Sequence, residues 1–335
     1  MLVALAMAAA ASAQAAPKPL FAGSAVLHLT IRGPINQIAR SAGKSREPRA
    51  AVLTVQGAAP ETLAIQLTPR GITRLRREVC QFPPLRVEFQ GKPGPGSIFS
   101  GQKKLKLVTH CQAAASFQQY VLLEYSAYLL YNQLTPASFR ARLATIDYVD
   151  EASRPITTRV GYFLEDVDDV ASRNAMRHAV TADRVSSSQL KPADAARVAL
   201  FEYMIGNMDW SMRAGPVGEG CCHNTRLLAR SAGDTFVPVP YDFDYSGLVN
   251  APYAVSPDGQ SGVLRRRYMG YCAHNGDVLA MAAVLRSGRV PLLAALNQVA
   301  LDEPVRRRAV AYLTGFFNDI ADDRTISAKV LKTCA

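Results

Sequence analysis

Between residues 25 and 108 the chain alternates apolar and branched side chains with polar ones, in runs of five to seven residues closed by Gly, Pro or polar clusters. Runs this short and this regular cannot make helices and dictate a sheet. They are Ala25–Ile31, Ala51–Val55, Leu63–Leu67, Leu85–Phe89 and Lys103–Val108, and the last puts Lys104 and Lys106 on one side of a strand and Leu105 and Leu107 on the other. The basic stretch 40–49 between two of them reads as a loop. The period then changes. Phe117, Tyr120, Val121, Glu124, Tyr128 and Tyr131 recur at three- and four-residue steps and predict a helix over 115–134. A strand over 157–166, a surface stretch over 167–193, a helix over 193–208 and Ala/Leu/Val-rich helices near 277–286, 290–300, 303–321 and 325–332 complete the pattern. The expected fold class is α+β: a β-rich N-terminal lobe with one long helix over 17–165 and a mainly helical C-terminal lobe over 166–335. A chain of 335 residues, 49% apolar, can bury the core that two lobes need.

Residues 1–13 are almost wholly apolar and end in Ala11-Ser12-Ala13, a small-x-small cleavage pattern. Although a positive n-region is missing, this reads as a signal peptide over 1–16 and predicts an exported, periplasmic or extracellular protein. No later run approaches eighteen apolar residues, so no membrane span is expected. Export permits disulfides among the six cysteines. Cys80 and Cys111 both end basic strands and are expected to bond each other, and Cys272 is expected to bond Cys221 or Cys222. The Cys221-Cys222-His223 run is too compressed to surround a tetrahedral zinc ion.

The net charge of +11 is confined to one region: residues 1–110 hold 15 Lys+Arg against 4 Asp+Glu, whereas residues 111–335 hold 23 of each. A basic unit facing a neutral one suits a bound polyphosphate, and it equally suits a surface that attracts anionic polymers. No nucleic-acid motif is present, and the basic residues are not interleaved with stacking aromatics.

The chemistry concentrates between residues 206 and 244. Gly206-Asn207-Met208-Asp209-Trp210 leads through a Gly/Pro-rich insert to Cys222-His223-Asn224 and closes with Pro240-Tyr241-Asp242-Phe243-Asp244. Hard divalent cations take oxygen ligands, and Asn224, Asp242 and Asp244 can supply them. Asp209 is left to orient a hydroxyl nucleophile, the division of labour that phosphoryl transfer requires. Trp210, the one tryptophan, reads as core, and His223 as a packed or hydrogen-bonded histidine rather than a metal ligand.

The pattern GN-x-D … HN-x-x-L … P-x-D-x-D resembles the CotH-type atypical kinases, here as an exported bacterial member. The resemblance extends over about residues 60–275 and is specific in 206–244. It implies a bilobal kinase-like fold, with Asp209 as catalytic-loop acid, Asn207 bracing the catalytic turn, Asn224 as metal-binding amide and Asp242 as metal-binding acid. The fifteen residues from Asp209 to Asn224 then require the insert carrying Gly215, Pro216, Gly218 and Gly220 to loop out. Arg70 and Arg86 fall in segments similar to the family's phosphate-contacting region, and Leu164 in one similar to its lobe connection, where backbone groups meet an adenine edge. Lys106 and Glu124 are the strand lysine and helix glutamate that fix a nucleotide's phosphates in kinases. The same two residues also fit a solvated strand and a helix surface.

The resemblance implies transfer of phosphate from ATP, with Mg²⁺ or Mn²⁺, to a protein hydroxyl. Two other readings stay open: a catalytically silent exported binding or envelope protein with a basic anion-binding lobe, and a metal-dependent phosphohydrolase, which a single acidic cluster suits less well.

Overall fold

The computed structural model describes residues 16–335 apart from 58, 180, 258, 260 and 261; the signal-peptide reading of the N-terminus lies almost wholly outside the described residues. In chain order the first half comprises α1 (Pro19–Ala22), β1 (Leu27–Arg32), α2 (Ile35–Ser41), β2 (Arg49–Val55), β3 (Glu61–Pro69), β4 (Leu85–Phe89), β5 (Lys104–Val108), α3 (Phe117–Asn132), β6 (Ala141–Val149) and β7 (Pro155–Leu164). The second half comprises α4 (Val167–Arg173), β8 (Arg177–His178), α5 (Pro192–Ile205), β9 (Thr225–Ala229), β10 (Val237–Pro240), α6 (Asn275–Ser287), α7 (Arg289–Ala294), α8 (Glu303–Asp319) and α9 (Asp323–Lys329). The five early runs are β1 to β5, and the expected helices over 115–134 and 193–208 are α3 and α5. Residues 167–193, expected as plain surface, hold α4 and β8.

The seven strands β1 to β7 close into a barrel in the order β1-β2-β3-β4-β5-β7-β6. Closure depends on β6, which pairs antiparallel with β7 and parallel with β1 through Leu27↔Ala144 to Arg32↔Val149. A barrel leaves no free sheet edge. Its interior is filled by the inward residues of every strand, among them Leu29, Ile31, Leu53, Ile65, Val87, Leu107, Ile146 and Phe163, with Ile35 and Ile38 of α2 added to the same core. This overturns the bilobal kinase-like expectation. The N-terminal sheet is a closed seven-stranded barrel, and the C-terminal half is not simply helical, since it carries a second sheet, β10-β9-β8. The misreading has a local cause: alternation along a strand reports which face is buried, but not whether the last strand returns to the first.

A second core lies between the barrel and the C-terminal helices. Helix α3 is apolar on all sides and accordingly buried from Val121 to Ala127 without a break, Glu124 included. Tyr128 of α3 lies 5.7 Å from Tyr162 of β7 and 4.7 Å from Phe243, and Tyr131 lies 4.6 Å from Phe201 of α5, so one helix couples barrel, α5 and the site segment. On α8, Ala309, Leu313, Phe316 and Phe317 repeat at helical spacing and face this core.

Among the described residues no single helix is long and apolar enough to cross a membrane. Cys80 and Cys111 are bonded, as expected, with Cα atoms 4.6 Å apart. The other expected pairing is corrected: Cys272 bonds Cys334, and Cys221 bonds its neighbour Cys222. The C-terminal residues fold back to Cys272, whose amide donates to Ala335 O, a closure that no local pattern announces.

Candidate functional site

Helix α5 stops at Gly206, which takes the left-handed conformation (φ 67°) and so turns the chain out of the helix. A side chain here would also collide with the Tyr312 hydroxyl. The next residue builds a tight turn: Asn207 Oδ1 accepts the Asp209 amide at 3.0 Å, and the buried Trp210 indole donates to Asn207 O at 3.0 Å. Asn207 therefore braces the turn, and Trp210 is core. Beneath it lies Glu202, fully buried, its carboxyl pushed up by burial and by Asp209 against the opposing effect of Asn207.

The insert does loop out. Ser211 N donates to His223 O and His223 N to Ala214 O, each at 2.9 Å, so the chain leaves and returns at the same place. Its far end is clamped by Asp183, whose carboxylate accepts from Gly218 N at 2.8 Å and Gly220 N at 2.9 Å. His223 and Asn224 are thereby delivered to Asp209. His223 Nε2 lies 2.8 Å from Asp209 Oδ1, and Asn224 Nδ2 donates to Asp209 O at 2.7 Å and to Asp209 Oδ2 at 3.1 Å. The hydrogen bond to Asp209 raises the His223 pKa above its ordinary value, against a smaller opposing effect of burial. With its nitrogen committed to Asp209, the Asn224 amide turns its oxygen, the metal-ligand atom, the other way. Asn224 O accepts the Tyr241 amide at 3.0 Å, which ties this turn to the start of the second acidic segment.

Past β10, Asp242 adopts φ 67° and its amide donates to the Tyr128 hydroxyl at 3.0 Å, while Phe243 is buried between Tyr128 and Phe201. That anchoring points the Asp242 and Asp244 carboxylates at Glu124. One oxygen from each of Glu124, Asp242 and Asp244 lies within 4.8 Å of the others. Arg74, from the turn between β3 and β4, enters the same space: Nη2 is 3.1 Å from Asp242 Oδ1, Nε 3.3 Å from Asp244 Oδ2 and Nη1 3.9 Å from Glu124 Oε2. Burial raises both Glu124 and Asp244, each further raised by its acidic neighbours and lowered by Arg74. One guanidinium does not balance three carboxylates, so burial and mutual repulsion disfavour the charged forms of Glu124 and Asp244.

The expected Lys106–Glu124 pair does not form; Glu124 pairs with Arg74 instead. Lys106 projects from β5 away from the barrel core, its Nζ 4.6 Å above the Tyr241 ring, whose centroid is also 4.9 Å from the Arg226 guanidinium. Burial, then the charges of Arg70 and Arg226, push the Lys106 amine down to about 7. Arg70, Arg86, Lys106, Arg226, Leu164 and Tyr241 line a cleft of about 790 Å³, shared with Glu88, Asp166, Asp168 and Glu219. Arg70 and Arg86 thus face the cleft. Leu164 lines it too, but its backbone is flanked by Lys106 of β5 and Ala141 of β6. It lies inside the sheet, not at the free edge that an adenine would need.

Sequence reasoning missed Arg74, Arg226, Tyr241 and Glu202. Arg74 had no local signal, because it lies among Arg70, Arg76 and Arg77 and only the tertiary fold buries it. Of Asp209, Asn224 and Asp242, expected to converge, the first two are in direct contact across 15 residues, and Asn224 O holds the amide of Tyr241, the residue before Asp242. No family model matches the chain, and no curated protein matches it.

Proposed function

We propose that this chain is an exported, metal-dependent phosphotransferase that moves the terminal phosphoryl group of a nucleoside triphosphate to a protein hydroxyl. The observation that carries this reading is the Asp209 carboxylate, held by His223 and Asn224, with Asn224 O in turn accepting the amide of Tyr241, the residue before Asp242. The likeness of residues 206–244 to CotH-type kinases supports it and is confined to this segment, since the frame around it is a closed barrel. Disulfides suit an oxidising compartment and support export.

In the transfer the bond from the terminal phosphorus to its bridging oxygen breaks, a bond from the acceptor oxygen to phosphorus forms, and a nucleoside diphosphate leaves. Asp209 orients the acceptor hydroxyl and takes its proton, and His223 holds the carboxylate in place. Lys106, Arg70, Arg86 and Arg226 bind and orient the phosphates in the cleft. The donor set fits a hard cation: Asp242, Asp244 and the Asn224 oxygen would hold Mg²⁺ or Mn²⁺, with Glu124 behind them. Such an ion would supply charge neutralisation between phosphates and carboxylates.

A second reading, the catalytically silent binding protein, is favoured by one observation: Arg74 already occupies the space among the three carboxylates as an internal counter-ion. Titration with a labelled ATP analogue, with and without Mg²⁺, separates the two. For the phosphotransferase, Asp242→Ala abolishes Mg²⁺-dependent binding, whereas Asp209→Ala keeps binding and loses transfer. Absence of Mg²⁺-dependent binding in the parent protein would leave the silent reading in place.

A further inference from the structure

A second cavity, of about 330 Å³, opens beside Trp210 and Ser211. Its wall includes Trp210 and Ser211, the two residues that follow Asp209, so it begins within two residues of the proposed acceptor-orienting carboxylate. The remaining lining combines two chemistries. Trp210, Met269 and Tyr271 present an apolar and aromatic surface that is buried or half-buried. Arg184 and Arg213 are exposed at the rim, and among the described residues neither forms an ion pair with a carboxylate. Arg213 instead spends its Nε on Val185 O at 3.3 Å and stands 5.7 Å from the Tyr271 ring. Elsewhere in this protein, Arg74 and Arg173 are drawn into the interior and satisfied by internal acids. Guanidinium groups left without one are receptors for carboxylate from outside.

We infer that this cavity is an acceptor subsite that takes a segment of acidic peptide, its carboxylates on Arg184 and Arg213 and its backbone or an apolar side chain against Trp210 and Tyr271. The inference rests on the phosphotransferase reading for its purpose, since it supplies the substrate class for the Asp209 hydroxyl. The volume admits one or two side chains, and its lining shares no residue with the cleft lined by Arg70, Lys106 and Tyr241.

The chain carries its own probe, because Trp210 is the one tryptophan and lines the cavity. Emission is followed while a short, end-blocked peptide of glutamates around one serine is added, without nucleotide or metal. The expected result is a saturable change, with affinity about tenfold weaker or worse for the glutamine counterpart of the peptide and for the Arg184→Ala/Arg213→Ala variant, the loss that charged hydrogen bonds carry. Both arginines are exposed, so circular dichroism and thermal midpoint of the variant should match the parent. An equal response to the glutamate and glutamine peptides, an unchanged response in the double variant, or an equal response to inorganic tripolyphosphate would overturn the assignment. The readout is independent of catalysis: a response that persists in Asp242→Ala supports the peptide site even if Mg²⁺-dependent nucleotide binding fails, and nucleotide binding without any Trp210 response overturns the peptide site alone.

Discussion

Arg74 and Lys106 are two cations in unlike surroundings, and each makes a measurable claim. Arg74 is the internal counter-ion of Glu124, Asp242 and Asp244, so Arg74→Met leaves buried carboxylates uncompensated and should cost about 3–5 kcal/mol in chemical denaturation at neutral pH. The cost should shrink as the pH falls and the carboxylates take up protons, and Mg²⁺ should restore part of it. A variant as stable as the parent, indifferent to Mg²⁺, would show that the cluster is not coupled by charge. Lys106 is the opposite case, a cation whose site disfavours its charge. Its folded value of about 7 lies below the ordinary 10.5. Between these values the unfolded chain holds a proton that the folded chain has released. This residue's contribution to stability is therefore present above pH 10.5 and lost as the pH falls through 7, and Lys106→Met should remove that slope from a pH series of unfolding free energies. Phosphate in the cleft should return the proton, so calorimetry at pH 8 in buffers of different ionisation enthalpy should register proton uptake on nucleotide binding.

At the scale of elements, the turn after α5 is where the fold makes the site. Gly206 meets two constraints at once, a positive φ and the approach of Tyr312. Gly206→Ala should therefore destabilise by more than the roughly 1 kcal/mol that the backbone conformation alone costs. Gly233→Ala is the comparison, because Gly233 also has a positive φ (90°) but open space where a side chain would stand. Equal losses of thermal stability in the two variants would mean that the Tyr312 contact contributes nothing. The insert shows a related economy: the Asp183 carboxylate on Gly218 N and Gly220 N holds its far end, and the return of the chain to His223 holds its near end. An excursion pinned at both ends can be long without loosening the residues it delivers.

For the whole molecule, one disulfide reinforces a loop that β4 and β5 already close, and another fixes the C-terminus. Cys80–Cys111 spans 31 residues and fastens the segment before β4 to the segment after β5. By the chain-entropy relation its removal as Cys80→Ala/Cys111→Ala should cost roughly 3–4 kcal/mol, read as a lowered denaturation midpoint. The Cys272–Cys334 bond, across 62 residues, ties the C-terminus to the start of α6, and its loss should cost a few tenths of a kcal/mol more. A Cys80→Ala/Cys111→Ala protein with an unchanged midpoint would show that the sheet alone holds that region.

Along this chain, what is encoded locally could be read locally. Alternation identified β1 to β5, because a strand's buried face repeats every second residue, and a short apolar run identified β7, which ends in four consecutive buried residues. Three- and four-residue spacing identified α3, α5 and the C-terminal helices. The acids and amide of 206–244 were legible as a group because they fall close together in the sequence, in the turns that follow α5, precede β9 and follow β10. Barrel closure was not legible: β6 is recognised as the closing strand only by its parallel partner β1, more than a hundred residues earlier. The same holds for Arg74, which looks like Arg76 and Arg77 until the β3–β4 turn is docked against α3, and for the partner of Glu124, which the strand–helix order made Lys106 and the fold makes Arg74. Cys272 found Cys334 because the C-terminus folds back on α6. Short-range periodicity is a property of the backbone and is written in consecutive residues, whereas charge pairing, closure and burial depend on which distant surfaces meet, and only the tertiary structure decides that.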